Sequence, residues 1–253
     1  MKAVRRVLVT RAAHQAGKLS EALREAGFEP VEVPVLEIRP PLNYGPLDAA
    51  LQKLNTYDWL IVTSANTVRA FQQRAVALGL ALRELVTSDF PQVAAIGEAT
   101  ASAAINAGLF VALVPEKYVA ESLVDSMGAR VAGRTILLAR AEVARDVIPD
   151  ALRAAGATVH VVDAYRTVMP ESAPDLLRGA LEHGIDAATF TSSSSVTHLA
   201  DAARAAGIQF PLAGVRAISI GPITSATLRE YGWIPAAEAK ISDIAELVAA
   251  IAS

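Results

Sequence analysis

The side chains able to do chemistry in this chain are mostly hydroxyls and guanidiniums, and they gather where short hydrophobic runs end. Arg11 closes VLVTR and Arg140 closes ILLAR. TSAN, with Ser64 and Ala65, follows DWLIV, and TSSSS, with Ser192 and Ser193, follows DAATF. GEAT, from Gly97 to Thr100, follows QVAAI, and GPIT, from Gly221 to Thr224, follows RAISI. Each run has strand length and leads into a helical pattern, so these residues fall at the C-terminal ends of strands, where open parallel sheets bind ligands. A helix N-terminus at such a place presents free N–H groups and partial positive charge, which suits carboxylate or phosphate. Several such termini, with Arg11 and Arg140, suit a ligand rich in carboxylates. The same serines and threonines also serve as N-caps, the plainer role for any one of them, while duplication of the whole set favours binding. Candidate ligand contacts are therefore Arg11, Ser64, Ala65, Gly97, Thr100 and Arg140, with Ser192, Ser193, Gly221 and Thr224.

Tyr165 stands apart from this set. It lies in GATVHVVDAYRTVMP, residues 156–170, which begins as a strand and stops at Pro170. A counterpart, GFEPVEVPVLEIRP, spans residues 27–40. Both follow an Ala-rich helix that closes on Gly, and both end in a Pro-containing linker. Enough chain for a whole domain lies between them, so they read as the two passages from one domain to the other. Tyr165 is then placed at a cleft, either packing a linker or presenting its phenol.

Other chemistries are excluded or weakened. The 253 residues contain no cysteine, which removes disulfides, thiolate catalysis and Cys-based metal sites. His14, His160, His183 and His198 lack ligand-like spacing, and His198 with Asp201 reads as a surface pair on one helix face. There is no G-x-G-x-x-G, no P-loop and no G-x-S-x-G elbow. Net charge is -3 with no basic block, which argues against nucleic acid and membrane surfaces as partners. With 53% hydrophobic and 19% charged residues the chain affords a sizeable core, and no apolar run has membrane-spanning length. The expectation is a soluble, cytoplasmic α/β protein whose site binds and shapes a ligand.

The elements that position these residues alternate strand and helix, which predicts parallel sheets covered by helices. Helices are expected over 15–26 and 144–155, one continuous strand over 31–38, and a strand over 135–139 closed by Arg140. The pattern occurs twice. VLVTR matches ILLAR, YDWLIVTSANTVRAF matches IDAATFTSSSSVTHL, VAAIGEATASAAINAG matches RAISIGPITSATLREYG, and VAESLVDSM matches DIAELVAAI, at offsets of roughly 124 to 129 residues. A tandem reading cuts near Ala129. A nested reading, favoured by the two Pro-terminated passages, gives residues 1–38 with 168–253 to one domain and 39–167 to an inserted one.

These residues resemble the uroporphyrinogen-III synthase family over essentially the full length. The likeness rests on VLVTR at 7–11, LIVTSANTVRAF at 60–71, AIGEAT at 95–100, VVDAYRTV at 161–168 and SIGPITSATL at 219–228. The resemblance implies two α/β domains joined by a two-stranded β ladder, one inserted in the other. It implies conversion of hydroxymethylbilane, a linear tetrapyrrole octacarboxylate, to uroporphyrinogen III and water, with inversion of ring D and without metal or organic cofactor. It makes Tyr165 the candidate for assisting hydroxyl departure and puts Ser64, Thr100, Ser193 and Thr224 around the cleft. Transient hand-off from hydroxymethylbilane synthase is the partner expectation. The competing reading is a two-domain binding or sensor module without catalysis, which turnover would distinguish.

Overall fold

Runs such as Leu8-Val9 and Leu60-Ile61-Val62 are apolar on both sides of the strand, the pattern of parallel strands covered on both faces. In the computed structural model, which describes residues 5–85, 91–116 and 120–252, these runs become strands. β1 (Arg6–Val9) leads through α1 (Ala13–Glu25) to β2 (Glu29–Glu32) and β3 (Glu37–Arg39). Then come α2 (Gly45–Gln52), β4 (Trp59–Val62), α3 (Ala65–Ala77), α4 (Leu82–Leu85), β5 (Gln92–Ala95), α5 (Glu98–Asn106), β6 (Val111–Leu113) and α6 (Ala120–Met127). β7 (Thr135–Ala141), α7 (Val147–Ala154) and β8 (Thr158–Val168) follow. The chain ends with α8 (Ala173–Glu182), β9 (Ala187–Phe190), α9 (Ser193–Ala206), β10 (Arg216–Ser219), α10 (Pro222–Glu230), β11 (Ala237–Glu238) and α11 (Ile244–Ala252).

Two compact units result, Met1–Glu37 with Thr167–Ser253 and Ile38–Arg166. The first holds the sheet β11-β10-β9-β1-β2, and the second sheet runs β3-β8-β7-β4-β5-β6. The strand orders are the same once the repeat is applied, with β3 added at one edge. The pairings that the two sheets share are all parallel, and the register repeats too. Arg6 lies opposite Glu29 and Val9 opposite Glu32, while Thr135 lies opposite Thr158 and Leu138 opposite Val161. An aspartate holds the start of β1 and of β7. The Asp186 carboxylate accepts from the Arg6 N–H at 2.8 Å, and the Asp58 carboxylate accepts from the Thr135 N–H at 2.8 Å.

Alternation along the strands divides each core between two faces. In the first unit Leu8, Ala188 and Phe190 pack with Leu177, Val196, Leu199 and Leu228, while Val7 and Val9 pack with Leu19, Leu23, Leu247 and Ile251. In the second unit Leu60 and Val62 pack with Leu51, Val68 and Phe71, while Trp59 and Ile61 pack with Leu123, Met127 and Leu152.

Four elements depart from the sequence expectation. The strand expected over 31–38 is broken into β2 and β3, because Pro34 has no N–H to donate; Val33 and Val35 on either side donate to Val9 and Thr10. β7 runs through Arg140 to Ala141, with a bulge between them that sets Arg140 opposite Asp163 and Ala141 opposite Tyr165. Its helix, α7, starts only at Val147, since the preceding residues form a turn held by Arg140. A fifth strand in the first sheet, β11, was not expected, being two residues of low β-propensity in PAAEA.

Candidate functional site

In the second unit the central geometry is a pair of hydroxyls. Ser64 ends the segment after β4 in extended conformation and caps α3, accepting from the Thr67 N–H at 3.1 Å. Its Oγ lies 3.2 Å from the Tyr165 Oη. Tyr165 comes from β8 and is only 9% exposed. The phenol is thus tied through one serine to a helix N-terminus, and Ala65, the first residue of α3, adds a backbone N–H there. Tyr165 also lines a cavity of about 160 Å³ with Ile38, Tyr44, Gln73 and Arg74. Arg74 grips Asp48 through two bonds of 2.5 and 2.6 Å and lies 4.1 Å from the Tyr44 ring centroid. The hydrogen bonds from Arg74 hold the Asp48 carboxyl below the usual carboxylate range.

Gly97 opens α5 with φ 85°, a left-handed conformation that glycine adopts without strain. Thr100, in the first turn of α5, is 4% exposed, and its hydroxyl has no hydrogen-bond partner among the described residues. Arg140 is placed differently from the expectation of a guanidinium closing a strand. Its NH1 donates to the Arg145 carbonyl at 3.1 Å and its NH2 to Asp146 at 2.7 Å, which fastens the turn before α7. Its Nε is buried without a partner among the described residues.

In the first unit, Arg11 follows β1. Its side chain is half-buried, and among the described residues it has no hydrogen-bond or ion-pair partner. Burial pulls the guanidinium below its usual pKa range. Ser192 caps α9 in a capping box: it accepts from the Ser195 N–H at 3.2 Å while Ser195 accepts from the Ser192 N–H at 3.3 Å. The plainer N-cap role therefore holds for Ser64 and Ser192, without excluding ligand contact by the free N–H groups beside them. The Ser193 hydroxyl accepts from Thr227 at 2.7 Å and links α9 to α10. Gly221 is extended, and an added Cβ would lie 2.8 Å from the Ser242 Oγ, so a side chain there must displace that hydroxyl. Thr224 is 4% exposed, and like Thr100 its hydroxyl has no partner among the described residues.

Some groups escaped the sequence reading. Ser225, buried in α10, bonds Ser219 at 2.5 Å and also Glu238, tying the start of that helix to β10 and β11. The aspartates that hold β1 and β7 were visible as the shared D of YDWLIV and IDAATF, a signal read only as part of the repeat. His198 and Asp201 are not a pair: His198 Nδ1 meets the Ser194 carbonyl at 2.8 Å and Asp201 binds Arg204 at 3.1 Å. Among the described residues no group of three His, Asp or Glu could hold a metal ion, and no helix is long and apolar enough to cross a membrane.

The family model described as Uroporphyrinogen-III synthase HemD matches residues 17–249. A uroporphyrinogen-III synthase of Synechococcus elongatus is 38% identical over 230 residues, covering 88% of this chain and 85% of that protein. One of Chlorobaculum parvum is 29% identical over 230 residues, covering 89% of each. In fold, the chain is similar to a mutant uroporphyrinogen III synthase of the extremely thermophilic bacterium Thermus thermophilus, with a TM-score of 0.67 at 22% identity over 99% of this chain and 98% of that one. It is also similar to the uroporphyrinogen-III synthetase of Helicobacter pylori, with a TM-score of 0.64 at 18% identity over 97% of each chain.

Proposed function

The chain belongs to the uroporphyrinogen-III synthase family, and on that premise we propose that it is a cyclising lyase converting hydroxymethylbilane to uroporphyrinogen III and water. The observation that carries the chemistry is the hydroxyl pair, Tyr165 Oη 3.2 Å from Ser64 Oγ. A phenol is protonated at neutral pH and can donate to a departing hydroxyl, and Ser64 orients it from a helix cap. The ring A nitrogen pushes its electron pair outward, the C–O bond breaks, and the hydroxyl leaves as water with the phenol's proton. Ring D attacks the resulting azafulvene through its substituted carbon. The spiro-pyrrolenine so formed breaks and rejoins at the other carbon of ring D, which then gives up a proton and balances the one lent to the hydroxyl. Electron-rich pyrroles need little acid assistance, so a sparse acid–base set is adequate. The protein's main task is to hold the chain so that the substituted carbon is the one that attacks.

The substrate's eight carboxylates call for many anion contacts. Arg11 and the helix starts at Ser64-Ala65, Gly97–Thr100, Ser192-Ser193 and Gly221–Thr224 are the groups we assign to them, the near-buried unpartnered hydroxyls of Thr100 and Thr224 included. The reaction as proposed needs neither metal nor organic cofactor. It runs in the cytoplasm, with hydroxymethylbilane handed over transiently by the synthase that makes it. The test is to couple the protein to hydroxymethylbilane synthase and identify the porphyrinogen. Isomer III is expected; isomer I alone, as from spontaneous closure, overturns the proposal.

A further inference from the structure

The repeat allows the two units to be compared position by position, and at two positions they have diverged in opposite senses. Arg11 and Arg140 stand at the same place, since β1–β2 and β7–β8 share one register. Arg140 is committed at both terminal nitrogens, with NH1 on the Arg145 carbonyl and NH2 on the Asp146 carboxylate, and only its Nε lacks a partner among the described residues. Arg11 is half-buried yet has neither an acceptor nor a carboxylate among the described residues. The second difference runs the other way. The counterpart of Tyr165 in the first unit is Leu36, which packs against the apolar cluster of Leu177, Phe190 and Val196. One unit therefore has a phenol and a neutralised arginine, and the other has an arginine without an anion and no phenol.

A partly desolvated charge without a partner is costly, and the cost is recovered when a ligand brings the anion. The guanidinium fork matches a carboxylate in bidentate geometry, the strong form of charge-assisted hydrogen bond. The depressed pKa of Arg11, due to burial with no opposing carboxylate, agrees with a site lacking its anion. We propose that Arg11 alone of the duplicated pair receives a carboxylate of the substrate, and that Arg140 belongs to the turn before α7. That the carboxylate is borne by hydroxymethylbilane rests on the proposed function; that Arg11 is an anion-receiving group does not.

The experiment compares wild type with Arg11→Ala, Arg11→Lys and Arg140→Ala in the coupled assay, with melting curves and with fluorescence titration of uroporphyrin III, itself an octacarboxylate. Arg11→Ala is expected to raise KM about ten- to a hundredfold, the range of a charge-assisted hydrogen bond, to weaken porphyrin binding similarly, and to leave the melting temperature unchanged or higher. Its KM should also depend less steeply on salt than that of wild type. Arg11→Lys should recover part of the loss, because a lysine restores the charge without the fork. Arg140→Ala should lower the melting temperature and move KM less than Arg11→Ala does. A folded Arg11→Ala with KM and porphyrin affinity within about twofold of wild type would overturn the inference, the expected loss being at least several times larger. So would an Arg140→Ala that matches its loss of affinity while melting like wild type. Should wild type yield isomer I alone, the proposed function fails, and the porphyrin titration still decides for or against Arg11.

Discussion

Tyr165→Phe deletes one oxygen and keeps the ring of a residue that lines the cavity beside Gln73 and Arg74, so its effects isolate the hydroxyl. The lost bond to Ser64, 3.2 Å long and between neutral groups, stabilises by about 0.5–1.5 kcal/mol. Ser64→Ala loses the same bond and also the cap on the Thr67 N–H, worth about 1 kcal/mol, so it costs about 2 kcal/mol in total. The rates should rank the other way. General acid catalysis contributes about 10²–10⁴-fold, and the push from the pyrrole nitrogen puts Tyr165→Phe at about 10²-fold or less, some 2.7 kcal/mol of barrier. Ser64 acts by aiming the phenol, so Ser64→Ala should slow the reaction by only about three- to tenfold. The double variant should be no slower than Tyr165→Phe to within about twofold, because without the oxygen there is nothing left to aim. Single-turnover kinetics with isomer analysis and a melting curve measure all of this. Multiplying rate effects would refute the aiming role of Ser64. A Tyr165→Phe rate within about twofold of wild type would reduce the residue to packing, and a stable variant that forms no isomer III would make the phenol indispensable to ring closure with inversion.

Asp58→Ala removes the acceptor for the Thr135 N–H and should cost about 2 kcal/mol, lowering the melting temperature by roughly 4–8 °C; no change would deny that bond a role in stability. The Asp48 carboxyl is held below its usual range by Arg74, so the pair's contribution is present above the unfolded value near about 3.9 and fades as pH falls through the lower folded value. The melting difference between wild type and Asp48→Asn should accordingly be full at neutral pH and close in strong acid; a difference that does not change with pH would contradict this. Gly97→Ala must accept φ 85° and should destabilise by about 1 kcal/mol or more, whereas Gly221→Ala meets only the movable Ser242 Oγ and should be rescued by Ser242→Ala, both by thermal melting. Turnover should survive EDTA, since the sequence has no cysteine and the described residues form no metal-binding cluster; restoration by one added metal after full loss would overturn that.

The α/β architecture was legible because its signals are local. Aliphatic runs such as Leu60-Ile61-Val62, a capping serine after them and a closing Gly state a strand, a helix start and a helix end within a few residues. The repeat was legible because side-chain types return in order, and the common register of β1–β2 and β7–β8 is its structural counterpart. What escaped depends on neighbours that sequence spacing does not announce. Arg140 reads as a strand-end cation, but the acceptors it takes, Arg145 and Asp146, lie in a turn that has no periodicity. Tyr165 was singled out, yet its bond to Ser64 spans 101 positions and needs β8 and the β4–α3 junction to be folded. Pro34 interrupts a run of valines whose alternation is that of one strand, and the break shows only in the pairing with Val9 and Thr10.

The position of β1 has a consequence for the order in which the chain is made. It lies between β2 and β9, and the buried bond from Thr10 to the Thr189 carbonyl joins residues 179 positions apart. At about 5–20 residues per second, ribosomal synthesis separates them by roughly 10–35 s. During that interval residues 38–166 can emerge whole and fold, while β1 has only β2 beside it. Val7, Leu8 and Val9, with no exposed surface in the finished protein, then border an open strand edge. The nascent chain is at that stage most in need of a chaperone, and slowing translation between α8 and β9 should lower soluble yield without altering the sequence or the stability of the completed fold.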